Sequence, residues 1–454
     1  MKRLLCISLV IVFVASCGKE GMPVNNNTDD SGIVIELSDL EFASIAFDSP
    51  EELSEDAAKD ILRTFIKAER QGSLTRASFM PSISLIEKKV IRTDDESITR
   101  SSNSEKDFIQ TSIYEFKISA GGRDGIALVS GDERSPALIA YVPEYDESTL
   151  AISGAEIMFE KARASHLSDI VFVESLKDSL RGKTYAKISE MINVPIEKLS
   201  YELLKDRIRV RNEAGTRASA VTTPPTRIYS FVYPLIKTKW NQTDPYNSTH
   251  PDIVLDKNTG RMGKPYAGCV EVAIAQVFAY CEVPTFRAQG PAVDWNILKA
   301  TPQISTTAPL TTRNMVGNLM LEVYQQAGGY YAWDSAGKHS GTPTPESKFR
   351  PYIQRVISTG SKQAYNWTTV QNSLTALEPV IIWGANHCWI LDGYAVCKKS
   401  GSAGTSQYDT YVTINYGWGG SNDGYYKLDD SYHTDVNGTN NTRQQSILPY
   451  CKRK

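Results

Sequence analysis

Hydrophobic and polar positions change rhythm several times along the chain. At the amino end, Lys2 and Arg3 precede a largely apolar run from Leu4 to Val14, too short to span a membrane as a mature helix. It predicts an export signal over residues 1–17, ending in Val14-Ala15-Ser16-Cys17, with Cys17 expected to carry lipid. Residues 18–32 are polar and rich in Gly, Asn and Asp, the composition of a flexible tether. Folding is expected from Ile33 onward. Over 49–74, Ala57, Ile61, Leu62 and Phe65 recur at helical spacing, with acids early and bases late, which predicts a helix. Residues 112–144 alternate apolar and polar positions around Gly121-Gly122 and Asp132, which predicts antiparallel strands joined by tight turns. A second helical pattern occupies 185–214.

The stretch 215–226 has no apolar period and reads as an exposed linker, with Arg217 open to a protease. All seven tryptophans follow it. The chain is therefore divided into a unit over 33–217 and a second over 218–454 that buries or binds with large aromatics. In the second unit, Val270, Ala273, Ile274, Val277 and Phe278 form the apolar stripe of a helix that begins at Cys269. Two apolar strand patterns meet near His387, the later one running toward an Asp392-Gly393 turn, and a further strand ends at Asn415.

Composition narrows the function classes. With 41% hydrophobic and 22% charged residues the chain is that of a folded protein. Its net charge of -3, from 49 basic and 52 acidic side chains, gives no surplus for a phosphate backbone, so nucleic acid is not an expected partner. An exported chain meets oxidising conditions, where cysteines are expected in pairs. Beyond Cys6 and Cys17 there remain Cys269, Cys281, Cys388, Cys397 and Cys451, an odd number. Their spacing contains no C-x-x-C, so neither a metal site nor a cofactor is implied.

The candidate chemistry rests on a thiol. A Cys directly after Gly268 and at the first position of a helix lies where unpaired backbone N–H groups favour thiolate. Of five histidines, His166 precedes the linker and His250, His339 and His433 lie in polar, loop-like stretches. His387, at a strand end beside a Gly/Asn turn, is the expected general base. Asn415 is placed to orient its imidazole without adding charge. Cys269, His387 and Asn415 follow one another in the order and rough spacing of papain-like enzymes.

Five motifs in order carry a closer likeness: "WNQTDPYN", "AGCVEVAIAQVFAYCEVP", "VDWNIL", "EPVIIWGANHCWILDGY" and "INYGWGGSNDGYYKL". With them the chain resembles streptopain and its secreted bacterial cysteine-peptidase relatives. The resemblance implies an α+β fold, with a papain-like catalytic domain made of a helical part and an antiparallel β part, preceded by an α+β inhibitory propeptide. It implies Cys269 as nucleophile, His387 as proton carrier and Asn415 as the group orienting it. Gln242, together with the Cys269 backbone N–H, is implied to hold the oxyanion, and Tyr416, Gly417 and Trp418 to wall the substrate cleft. The expected partners are protein or peptide substrates, the chain's own propeptide as inhibitor, and a lipid anchor until maturation near Arg217 frees the enzyme outside the cell.

Four positions depart from that family's pattern. Tyr416 replaces a Trp, Asn386 a Gly, and Cys388 and Glu271 small residues. A carboxylate in the first helical turn favours the helix but opposes a thiolate two residues away. Cys388 reads either as inert packing or as an oxidation-sensitive neighbour. Two other functions fit the same residues: a surface binding protein on a degenerate peptidase scaffold, and a Cys-His amidase acting on cell-wall peptides.

Overall fold

A computed structural model describes residues 33–71, 80–93, 109–150, 154–210, 218–219, 227–283, 292–384, 387–398, 408–428 and 445–454. The signal, Cys17, the tether, Arg217, Asn386 and most of the linker lie outside them. The described residues mix helices with sheets that are almost wholly antiparallel, an α+β fold.

The helix expected over 49–74 runs from Glu55 to Gln71. It starts six residues late because Ser54 caps it, its hydroxyl accepting from the Ala57 N–H at 3.2 Å. Its inner face is Ala58, Ile61, Leu62, Phe65 and Ile66, one position round from the expected Ala57. The alternating segment forms strands Gln110–Ala120, Arg123–Ser130 and Leu138–Val142, with Gly121 and Gly122 both at positive φ in the first turn. The helix Ala155–Ser179 was not anticipated. Its buried Met158, Phe159, Ala162, Ile170 and Val173 do recur at helical spacing, but small residues dilute the contrast.

One sheet of eleven strands organises the molecule. Its C-terminal part places Val380–Gly384, His387–Lys398, Tyr408–Asn415 and Gly424–Lys427 side by side, with Arg227–Val232 also on His387–Lys398. The strand Gly424–Lys427 then pairs with Leu138–Val142, through Tyr425 opposite Tyr141 and Tyr426 opposite Ala140. The sheet thus continues from residues after the linker into residues before it. Phe65 seals this junction against Tyr425 at 5.2 Å, Tyr411 at 5.6 Å and Tyr141 at 5.9 Å between ring centroids. Burying such a ring stabilises by roughly 1.5–3 kcal/mol.

The strand from His387 is buried on both faces. Cys388 and Ile390 join a core with the helices Cys269–Cys281, Leu310–Ala327 and Glu346–Val356, while Trp389 and Leu391 face a second core that includes Met158 and Phe159. The Asp392-Gly393 turn expected from the sequence is instead a bulge through which the strand continues to Lys398. Gly393 permits it, because a Cβ there would lie 2.6 Å from the Val232 carbonyl oxygen. Thr413 Oγ1 and the Ile236 N–H donate to the Asp392 carboxylate and hold the bulge.

Candidate active site

The helix Cys269–Cys281 is apolar on nearly every side, and Val270 to Ala279 are all buried. The one-sided stripe expected from its sequence is therefore too narrow a description. Gly268 precedes it at φ 112°, a conformation that only glycine adopts without strain. The thiol of Cys269 thus stands at the helix tip, half-buried, with the backbone N–H groups of Cys388 and Val270 near enough to favour its thiolate. The Cys388 contact binds the thiol to the strand that His387 begins.

Burial pushes the Cys269 thiol up to about 11, and the nearby Glu271 carboxyl adds to the rise against the lowering by those N–H groups. Burial also lowers His387 below its ordinary value. Thiol and imidazole are both neutral in this state. One side of the His387 ring is closely covered: a Cβ placed on Gly154 would fall 2.9 Å from Cδ2 and 3.5 Å from Nε2. Gly154 precedes the helix Ala155–Ser179 at φ 75°, so a residue from before the linker covers the imidazole. The same segment is held alongside. Asn422 exchanges hydrogen bonds with the Asp146 backbone and donates to Thr149 Oγ1, and Lys239 pairs with Glu144 at 3.1 Å.

Asn415 ends its strand with 4% exposure. Its Oδ1 accepts from Gln276 Nε2 at 2.9 Å and from the Gly417 N–H at 3.1 Å, and its Nδ2 donates to the Thr238 carbonyl at 3.1 Å. Gln276, unremarked in the sequence, is fully buried in the helix of Cys269, and its Oε1 accepts from the Trp240 N–H at 3.1 Å. It therefore joins the Asn415 loop to the Trp240–Gln242 loop. A lone Gln within an apolar helix was the available signal. Gln242 is buried, and its carbonyl accepts from the Ala267 N–H at 2.8 Å, fixing that loop beside the approach to Cys269.

Gly417, at φ 71°, comes so close to the helix that a Cβ would lie 2.9 Å from Val272 Cγ1. The loop after it is tied back by the Gly419 N–H, which donates to the Trp240 carbonyl at 2.9 Å. Trp418 meets Tyr266 edge to face at 5.7 Å, and Tyr416 packs between Trp389 and Tyr426. Cys269, Gln242, Asn415 and the 416–418 loop thus lie along one helix beside the strand that His387 begins, and among the described residues the Asn415 oxygen is taken by Gln276 and Gly417, with no hydrogen bond to His387. Residues 240–426, a span that contains all of them, match the sequence model of the Peptidase C10 family. This segment is a C10-family cysteine peptidase domain. No curated protein matches the chain.

The remaining described thiols and His250 have structural surroundings. None of Cys269, Cys281, Cys388, Cys397 and Cys451 forms a disulfide, contrary to the pairing expected in an oxidising compartment. All but Cys269 are buried in the cores, where they act as small apolar side chains. His250 is not in a polar loop surface but fully buried against Tyr324 and Tyr331, with its Nδ1 3.1 Å from the Tyr331 hydroxyl. Burial lowers it to about 4.

Proposed function

We propose that the chain is the zymogen of a cysteine endopeptidase in which Cys269 is the nucleophile and His387 the proton carrier. Residues 33–217 act as the inhibitory propeptide, and Cys17 carries the lipid anchor of the exported precursor. The observation that carries this reading is Gly154 against the imidazole of His387 while the Cys269 thiol rests on the backbone of the next residue. Withdrawal of the segment around Gly154 rehydrates the ring, which raises its proton affinity and allows the thiolate-imidazolium pair to form.

In the freed enzyme the Cys269 thiolate adds to the scissile carbonyl carbon. The carbonyl oxygen becomes an oxyanion held by the Cys269 backbone N–H and the Gln242 side chain, a contribution of about 10²–10³ in rate per donor. His387 then gives its proton to the leaving amine, and water hydrolyses the thioester with His387 as base. Asn415 is a positioning residue, its amide fixed by Gln276, Gly417 and Thr238. Trp418 walls the cleft. Cleavage near Arg217 both activates the enzyme and parts it from its anchor.

Incubating purified 18–454 beside Cys269→Ala in a reducing buffer, with fragments followed by mass spectrometry, tests the reading. Wild type should cut itself near residue 217 while the variant stays whole. Casein hydrolysis by the Cys269→Ala protein would overturn the nucleophile, and wild type that stays whole and inactive even after limited trypsin would overturn the enzyme.

A further inference from the structure

The carboxyl of Glu271 is placed where a surface acid would not be. It belongs to the first turn of the helix that begins at Cys269, yet its residue has 0% exposure. Oε1 accepts a hydrogen bond from Thr344 Oγ1 at 2.5 Å, and Oε2 has no partner. Two glycines make the room. A Cβ on Gly268 would fall 2.0 Å from Oε2, and one on Gly329 would fall 2.8 Å from Oε1. Any side chain at either glycine would thus collide with this carboxyl.

Among the described residues no cation pairs with this carboxyl. Cys269 on the same helix and Cys388 on the adjacent strand both feel the carboxyl. From the other side it is faced by Tyr324 on the helix Leu310–Ala327 and by Tyr331, whose hydroxyl meets His250 Nδ1. His250 is itself held neutral by burial. Lys348 packs over Gly328 but is exposed, and among the described residues no ion pair includes Glu271. An ionised carboxylate in such a place costs several kcal/mol, so the proton stays on until alkaline pH. Burial pushes Glu271 up to about 8.

We propose that Glu271 is a proton-holding positioning residue that sets the alkaline limit of Cys269. As a neutral acid it props the helix tip through Thr344 and leaves the thiol free to ionise. Once it loses its proton, its negative charge opposes the thiolate two residues away. The inference rests on Cys269 being the nucleophile, and its test separates the two.

The rate of Cys269 alkylation by iodoacetamide is measured from pH 5.5 to 9.5 on the full chain and on Glu271→Gln, with Cys269→Ala subtracted as background. The ratio of variant to wild-type rate should be near one at pH 5.5 and climb through pH 8 to about tenfold, the effect of one like charge nearby. For casein hydrolysis by the activated enzyme, the alkaline limb of kcat should move up in pH while KM stays. A ratio that does not change with pH overturns the proposal. Casein hydrolysis by Cys269→Ala overturns instead the reading on which it rests. Should Glu271→Gln fail to fold, infrared spectra of the Cys269→Ala full chain give a second test. A protonated carboxyl band that persists at pH 7.5, after Asp392 and Asp423 have largely titrated, and fades by pH 9 supports the proposal, and loss of every protonated carboxyl band by pH 7.5 overturns it.

Discussion

Replacing Asp169 by Asn should loosen the part of the chain before the linker from the peptidase domain without unfolding that domain. Asp169, on the helix Ala155–Ser179, accepts from Lys427 Nζ at 2.6 Å, and Asp409 holds the same ammonium at 2.8 Å. Lys427 and Asp409 are both buried and lie on strands after residue 226, so Asp169 is the one member of the triad contributed from before residue 215. At 2.6 Å and an effective dielectric of 20, the direct attraction is about 6 kcal/mol. Losing one partner of a buried pair commonly costs 3–5 kcal/mol. Here Asp409 still neutralises Lys427, and Asn keeps a hydrogen-bonding oxygen, so a net loss of about 1.5–3 kcal/mol is expected, or roughly 10- to 100-fold more frequent opening. Hydrogen exchange reads this directly in the Cys269→Ala full chain, which is expected not to cut itself. The amides of Gly424–Lys427 and Leu138–Val142 should exchange that much faster in Asp169→Asn, while those pairing Val380–Gly384 with His387–Leu391 keep their rates. Unchanged exchange at the junction, or an increase spread evenly over the whole sheet, would refute the reasoning.

Gly154→Ala should hasten self-cleavage several-fold, since a side chain at φ 75° costs about 1 kcal/mol and its Cβ meets His387 at 2.9 Å; slower cleavage in a time course would count against an inhibitory contact there. Gln276→Leu removes the shared partner of Trp240 and Asn415 and should lower stability by about 1–3 kcal/mol by chemical denaturation, with kcat falling more than KM. Glu271, Asp392 and Asp423 are raised by burial to about 8, 6 and 7. The unfolded chain releases these protons first, so the stability these three carboxyls contribute is full below the ordinary carboxylate range and is lost as pH rises toward 8. His250, lowered to about 4, acts oppositely: its contribution is present above 6.5 and lost as pH falls toward 4. Calorimetry of Cys269→Ala should therefore find Tm falling between pH 6.5 and 8, and Glu271→Gln should flatten that fall.

The rhythm of the chain announced those parts whose burial is one-sided. Helix Glu55–Gln71 shows clean contrast between inner and outer positions and strand Gln110–Ala120 a partial one, while Arg123–Ser130, buried from Gly125 onward, was identified by the Gly121-Gly122 turn before it. The tip of the helix at Cys269 was legible because Gly268 and the apolar run after Cys269 mark it without tertiary information. Gln276 and Asn415 show the limit. Their partners, Trp240 and Thr238, are far away in the chain, and only the closed fold brings a buried amide to both. His250 was misjudged for the same reason: polar neighbours in sequence say nothing about Tyr324 and Tyr331 folding over it. The bulge at Asp392-Gly393 has the residues of a turn, and Thr413 and Ile236, both distant in sequence, convert them into a kink within a strand.

If the residues before the linker are cut away as proposed, the pairing of Gly424–Lys427 with Leu138–Val142 bears on how the remaining chain behaves as a solute. Removing the leading half would uncover a raw sheet border, with open amides and carbonyls able to template contact with another copy. That border is four residues long, and it ends in a lysine whose charge points inward and is already neutralised by Asp409. Short length and an inward charge are what discourage edge-to-edge association, so the residue that fastens the precursor would also keep its product from sticking to itself.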